Sequence, residues 1–162
     1  MTVHKARLEG SLTDAWKELM ATIEAVPAEE METPGVIEEW SVKDLLGHLT
    51  FWAEKAASDL DLLAEGKPDE IETPGGEENV AIWNKRESEA RKDMSLDEIK
   101  AGWLASHERA REALTRVSAE QLDTEVAGWA QWKRYAGDTY LHYREHTEQI
   151  RAWQRALETT EV

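Results

Sequence analysis

An all-α four-helix bundle is the fold this 162-residue chain predicts. Three observations point there. Apolar residues recur every three to four positions through four long blocks, no segment shows strand-like alternation, and Pro or Gly punctuates the gaps between blocks. The first block runs from about Val3 to Val26, where Leu8, Leu12, Trp16, Leu19, Ile23 and Val26 form one stripe. Pro27 and Pro34 bracket the loop after it. The second block opens at Ser41-Val42-Lys43-Asp44, a capping box with Ser41 as N-cap and Asp44 three residues on. Trp40 sits before the cap, at a hydrophobic-staple position. The block continues through Leu45, His48, Leu49, Trp52 and Leu60 to about Glu65, and Gly66 and Pro68 end it.

A polar stretch from Lys67 to Glu78, containing Pro74-Gly75-Gly76, reads as a plain solvated loop or as the lip of a site. The third block is helical in two parts. Asn79 to about Arg91 forms the first, and a second capping box, Ser95-Leu96-Asp97-Glu98, opens the other through Trp103 and Leu114 to Val117. Ser118 starts a short turn, and Gly128 to Lys133 is a Trp-rich loop. The last helix spans about Arg134 to Leu157. The expected architecture is one domain over residues 1–162, with a long, partly helical connection between the second and third helices.

Composition narrows the function classes. The formal net charge is −15, with no cluster of Lys and Arg to replace phosphate counterions, so nucleic acid is not an expected partner. An anionic membrane surface repels the same charge, and no apolar run reaches the roughly 20 residues of a span. With no apolar leader near the N-terminus and no cysteine, the expected setting is the cytosol, without disulfides, thiolate ligands or a cysteine nucleophile. Eight Trp against one Phe leave two readings open: Trp fills the core, or Trp lines a pocket.

The chemistry concentrates in His142-Tyr143-Arg144-Glu145-His146. Residues four apart in a helix lie about 40° apart around the axis and one turn apart along it, so His142 and His146 share a face and can reach one metal ion. His48, beside the apolar stripe of the second helix, is the third candidate ligand. Inward side chains on facing helices build metal sites inside bundles in this way. Three imidazoles leave a coordination position open, as catalytic sites do, and suit Zn²⁺, Ni²⁺ or Fe²⁺. Asp44 and Asp138 each lie four before a candidate ligand, where a carboxylate can accept the outer imidazole N–H; Asp44 is better explained as a cap, and Asp138 equally suits the acidic first turn of a helix. Glu145 is the candidate general base or a solvated charge, and Trp52, one turn past His48, can wall the pocket. The literal H-x-x-E-H peptidase motif is set aside, because the scaffold is too small for that family. His4 and His107 are expected at the surface.

Trp40-Ser41-Val42-Lys43-Asp44-Leu45-Leu46-Gly47-His48 and His142 to His146 resemble the W-S-x-x-D-x-x-x-H and H-x-x-x-H elements of the DinB/YfiT-like superfamily. The order of the two elements and the Pro-containing loop before Trp40 match as well. Thr139 to His146 looks closest to the DinB-like subgroup that includes ClbS/DfsB proteins. The resemblance implies a four-helix bundle, a divalent metal (Zn²⁺ or Ni²⁺) on His48, His142 and His146, and a homodimer. It also implies a small-molecule substrate and either transfer of a low-molecular-weight thiol such as mycothiol or bacillithiol, or hydrolysis. The alternative is a binding or sequestration protein with a Trp-lined pocket and no catalysis.

Overall fold

Helix ends in this chain are set by local hydrogen bonds, and those ends position everything else. The computed structural model describes residues 2–160. Four long helices make the bundle: α1 (Thr2–Glu24), α2 (Val42–Ala64), α4 (Leu96–Arg116) and α7 (Tyr140–Thr160). Three shorter ones, α3 (Glu77–Arg91), α5 (Ala119–Leu122) and α6 (Gln131–Asp138), lie in the connections. Helix α3 and a 3-10 turn at Pro68–Glu70 fill the long link between α2 and α4, as expected. No helix among the described residues is long and apolar enough to cross a membrane.

Both expected capping boxes form. Ser41 Oγ accepts from Asp44 N–H at 3.2 Å, while the Asp44 carboxylate accepts from Ser41 N–H at 2.9 Å. Ser95 and Glu98 repeat the exchange at 3.1 and 2.8 Å. Each box satisfies two of the donors that a helix N-terminus leaves orphaned. A third box, between Ser118 and Gln121, starts α5.

The core is one cluster. Leu45, Leu46 and Leu49 of α2 and Leu114 of α4 are fully buried within it. Each such side chain contributes roughly 1.5–3 kcal/mol relative to exposure. Helix α2 packs chiefly along α4 and α1 along α7, whereas α2 and α7 touch sparsely. The seam between α2 and the α6–α7 arm is therefore loosely closed.

Two expectations fail in the last quarter of the chain. The Trp-rich segment is a small hairpin: β1 (Glu125–Val126) pairs antiparallel with β2 (Trp129–Ala130). Ala127 and Gly128 turn it with φ of 50° and 80°, the two positive angles of a tight hairpin turn. Ala in place of the usual Asn or Asp hides that turn from the sequence. The final helix begins earlier than Arg134 and is interrupted. Thr139 leaves helical geometry (φ −120°, ψ −100°), and its hydroxyl donates to the Tyr135 carbonyl at 2.6 Å. Such back-bonding to the preceding turn bends helices.

Candidate metal centre

His48 comes from α2, and His142 and His146 come from α7. The Ser41–Asp44 box fixes where α2 starts, and so which face His48 presents. The four-residue spacing on α7 puts the other two rings together. His142 Nε2 lies 2.8 Å from His48 Nε2 and 2.9 Å from His146 Nε2. All three ligand atoms lie within 4.8 Å of one another.

Hydrogen bonds alone cannot satisfy this arrangement. His142 Nε2 carries either one N–H or one lone pair, yet faces two nitrogens. A cation that takes a lone pair from each ring resolves the conflict. Tetrahedral zinc needs about 3.3 Å between ligand nitrogens, so the rings have only to part by a few tenths of an ångström. Burial also keeps the rings neutral. His48 is pushed down to about 3, by burial first and then by the charge His146 can carry. His142 is driven well below the ordinary range by burial and by its two neighbours, against the weaker opposing pull of the Asp138 carbonyl. His146 is lowered by burial too. Neutral imidazole is the metal-binding form.

One residue that orients the site was not foreseen. Gln149, one turn beyond His146, accepts from His146 Nδ1–H at 2.6 Å. That tautomer leaves the His146 Nε2 lone pair facing the cluster. A Gln three after a His was a weak cue, and carboxylates were the expected partners. Trp40 adds a second unforeseen contact, its ring 5.0 Å from that of His48.

The cluster opens into a cavity of about 450 Å³ walled by Trp52, Pro74, Val80 and Asn84. Trp52 Nε1 donates to Asn84 Oδ1 at 2.8 Å, which holds α3 across the opening. Glu72 and Pro74 bring the polar stretch after α2 into the lining, so that stretch is a lip of the site.

A family model described as the mycothiol maleylpyruvate isomerase N-terminal domain matches residues 12–147. The chain belongs to that family. It is thereby a member of the DinB/YfiT-like superfamily. No curated protein matches it. A crystal structure of an uncharacterised protein from Escherichia coli UTI89 is similar over 95% of this chain and 94% of that one, with 16% identity and a TM-score of 0.81. A structure described as Sibling Lethal Factor Precursor - DfsB is similar over 94% of this chain and 96% of that one, with 15% identity and a TM-score of 0.78. Both share the DinB-like all-α fold.

Two expected orienting contacts of this DinB-like site are not made. The Asp44 carboxylate is taken by Ser41, through both its N–H and its hydroxyl. Asp138 makes no side-chain hydrogen bond to His142, because the break at Thr139 takes the two residues out of one continuous helix; among the described residues His142 Nδ1 has no partner. The Asp138 carboxyl lines the cavity instead. Burial, then the charge of Asp59, pushes it up to about 7. Glu145 is exposed at the cavity rim.

The other two histidines are not surface residues. His107 is 7% exposed and stacks face to face on Trp16, with centroids 3.7 Å apart and planes 1° from parallel. Its Nδ1 lies 3.3 Å from Tyr143 Oη. Its charged sequence neighbours mask its place on the Trp103–Ala110–Leu114 stripe of α4. His4 is half-buried and stacks on Trp132 at 4.9 Å. The tryptophans of this family member do both jobs foreseen for them. Trp103 and Trp153 are buried in the core, while Trp52 is in the cavity wall.

Proposed function

We propose that this DinB-like chain is a divalent-metal-dependent enzyme. Its three-histidine site would activate a low-molecular-weight thiol of the mycothiol or bacillithiol kind for transfer to a small molecule, or a water for hydrolysis. The observation that carries the reading is the convergence of three neutral imidazole nitrogens that cannot satisfy one another. Zn²⁺ and Ni²⁺ suit the donor set best, and Fe²⁺ also fits. Such an ion, when bound, supplies a Lewis acid that lowers the pKa of a thiol or water beside it.

The chain supplies the rest. His48, His142 and His146 would hold the ion, with Gln149 keeping His146 in the ligating tautomer. Trp52, Pro74 and Val80 give the cavity an apolar side. Glu145, exposed at the rim, would take the proton that an incoming thiol gives up. A cytosolic homodimer is part of the same proposal.

Metal content by mass spectrometry, on untagged protein beside a His142→Ala/His146→Ala variant, tests the reading. About one ion per chain, lost in the variant, supports it. No uptake after incubation with Zn²⁺ and Ni²⁺ would sink it. A second reading, sequestration of a small ligand without chemistry, is favoured by Trp52 in the wall, stacked 6.2 Å from Trp83. Ligand-induced quenching of Trp fluorescence in protein that takes up no metal would support that one.

A further inference from the structure

The histidines occupy one stretch of a longer polar seam. On α2, His48, Trp52, Lys55 and Asp59 follow one another at spacings of three to four, so they share a face. On the α6–α7 arm, Arg134 and Asp138 share a face of α6, and His142 and His146 share a face of α7. All eight line the same cavity. His48 meets His142 and His146, while Asp59 and Lys55 act electrostatically on Asp138, so the two rows run in opposite directions. A charged group of four side chains therefore lies beside the histidines, along one groove.

Only half of that group is internally paired. Lys55 Nζ donates to Asp59 Oδ1 at 2.5 Å. Arg134 gives one guanidinium N–H to the Val126 carbonyl at 3.2 Å, and its buried Nε has no partner among the described residues. Neither Arg134 nor Asp138 makes an ion pair among the described residues. An unpaired cation and an unpaired acid side by side in a shielded cavity are costly unless something else meets them.

We infer that Arg134 and Asp138 form a second subsite that holds an amino-acid-like end of the substrate, its carboxylate on Arg134 and its ammonium on Asp138. A guanidinium fork matches a carboxylate, and a carboxylate accepts from an ammonium; one zwitterion satisfies both groups at once. Lys55, already neutralised by Asp59, is not available to compete for the ligand carboxylate. Asp138 and His142 line the same cavity on either side of the break at Thr139, which suits a thiol joined to that end by a short carbon chain. The substrate class is thus a cysteine-type thiol with a free α-amino acid group. The thiol end rests on the metal reading above; the charged end does not.

Calorimetric titration tests it with three probes: L-cysteine, cysteamine (no carboxylate) and 3-mercaptopropionate (no ammonium). Each is run on zinc-treated and on chelator-treated protein, and on Arg134→Gln and Asp138→Asn. L-Cysteine is expected to bind at least tenfold more tightly than either analogue. Arg134→Gln should erase its advantage over cysteamine alone, and Asp138→Asn its advantage over 3-mercaptopropionate alone. This crossed pattern cannot arise from misfolding. Affinities within threefold of one another, equal weakening of all probes by both variants, or no binding to either form would overturn the inference. Discrimination that survives in chelator-treated protein while zinc treatment adds nothing would overturn the metal reading and leave this subsite standing.

Discussion

Gln149 accepts a hydrogen bond from His146 Nδ1 at 2.6 Å, the only side-chain partner outside the cluster that any of its three histidines has among the described residues. Gln149→Leu keeps the size of the side chain and removes the acceptor. Metal affinity, measured by competition with a chelating dye, is expected to fall about 10–100-fold with the fold intact. Gln149→Glu, which retains an acceptor, should hold affinity near wild type. Equal affinities for wild type and the Leu variant would show that the contact orients nothing.

Asp44 separates a cap from an orienting contact. Because its carboxylate is spent on Ser41, Asp44→Ala should lower stability by about 1 kcal/mol in urea unfolding. Metal affinity should stay within twofold. A large loss of metal with little loss of stability would restore the role that its spacing from His48 suggests.

His107 makes stability depend on pH. Burial holds it down to about 4, against 6.5 for a free imidazole. The unfolded chain therefore binds a proton more readily than the fold does between those values. The contribution of neutral His107 is fully present above pH 6.5, erodes as pH falls, and is gone below about 4. His107→Phe retains the stack on Trp16 and removes the titration. Between pH 7.5 and 4.5 the wild type should lose about 2 kcal/mol more than the variant, by urea midpoints. Parallel losses would refute the assignment.

Trp52 and Asn84 tie α3 to the bundle. Helix α3 has no buried residue of its own, so this bond and the stack of Trp52 on Trp83 carry much of its attachment. Asn84→Ala should cost roughly 0.5–1.5 kcal/mol. Faster amide hydrogen exchange should appear across Glu77–Arg91 while α2 and α4 stay protected. Uniform acceleration would mean that α3 does not open by itself.

The four long helices were legible because each carries its own apolar stripe, and two open with a complete capping box. The histidine cluster was legible through His142 and His146, whose spacing alone places them together, and through His48, which lies beside the apolar stripe of the second helix. The rest depends on backbone angles that the sequence does not mark or on contacts between distant segments. Ala127 at positive φ looks like any alanine. Thr139 breaks the last helix through a bond to its own preceding turn, and so Asp138 leaves the position expected for it. His107 sits among charged neighbours, yet α4 turns it onto Trp16. In each case the deciding partner is absent from the local sequence, or the deciding dihedral angle leaves no mark on it.

Because α2 packs along α4 and α1 along α7, the bundle is two helical pairs laid against each other. His48 belongs to one pair, and His142 and His146 to the other. An ion held by all three is a rivet through the joint between the halves. Stripping it should let the halves breathe apart at that joint long before any single helix unwinds, and the cavity beside the histidines would be the first thing to lose its shape.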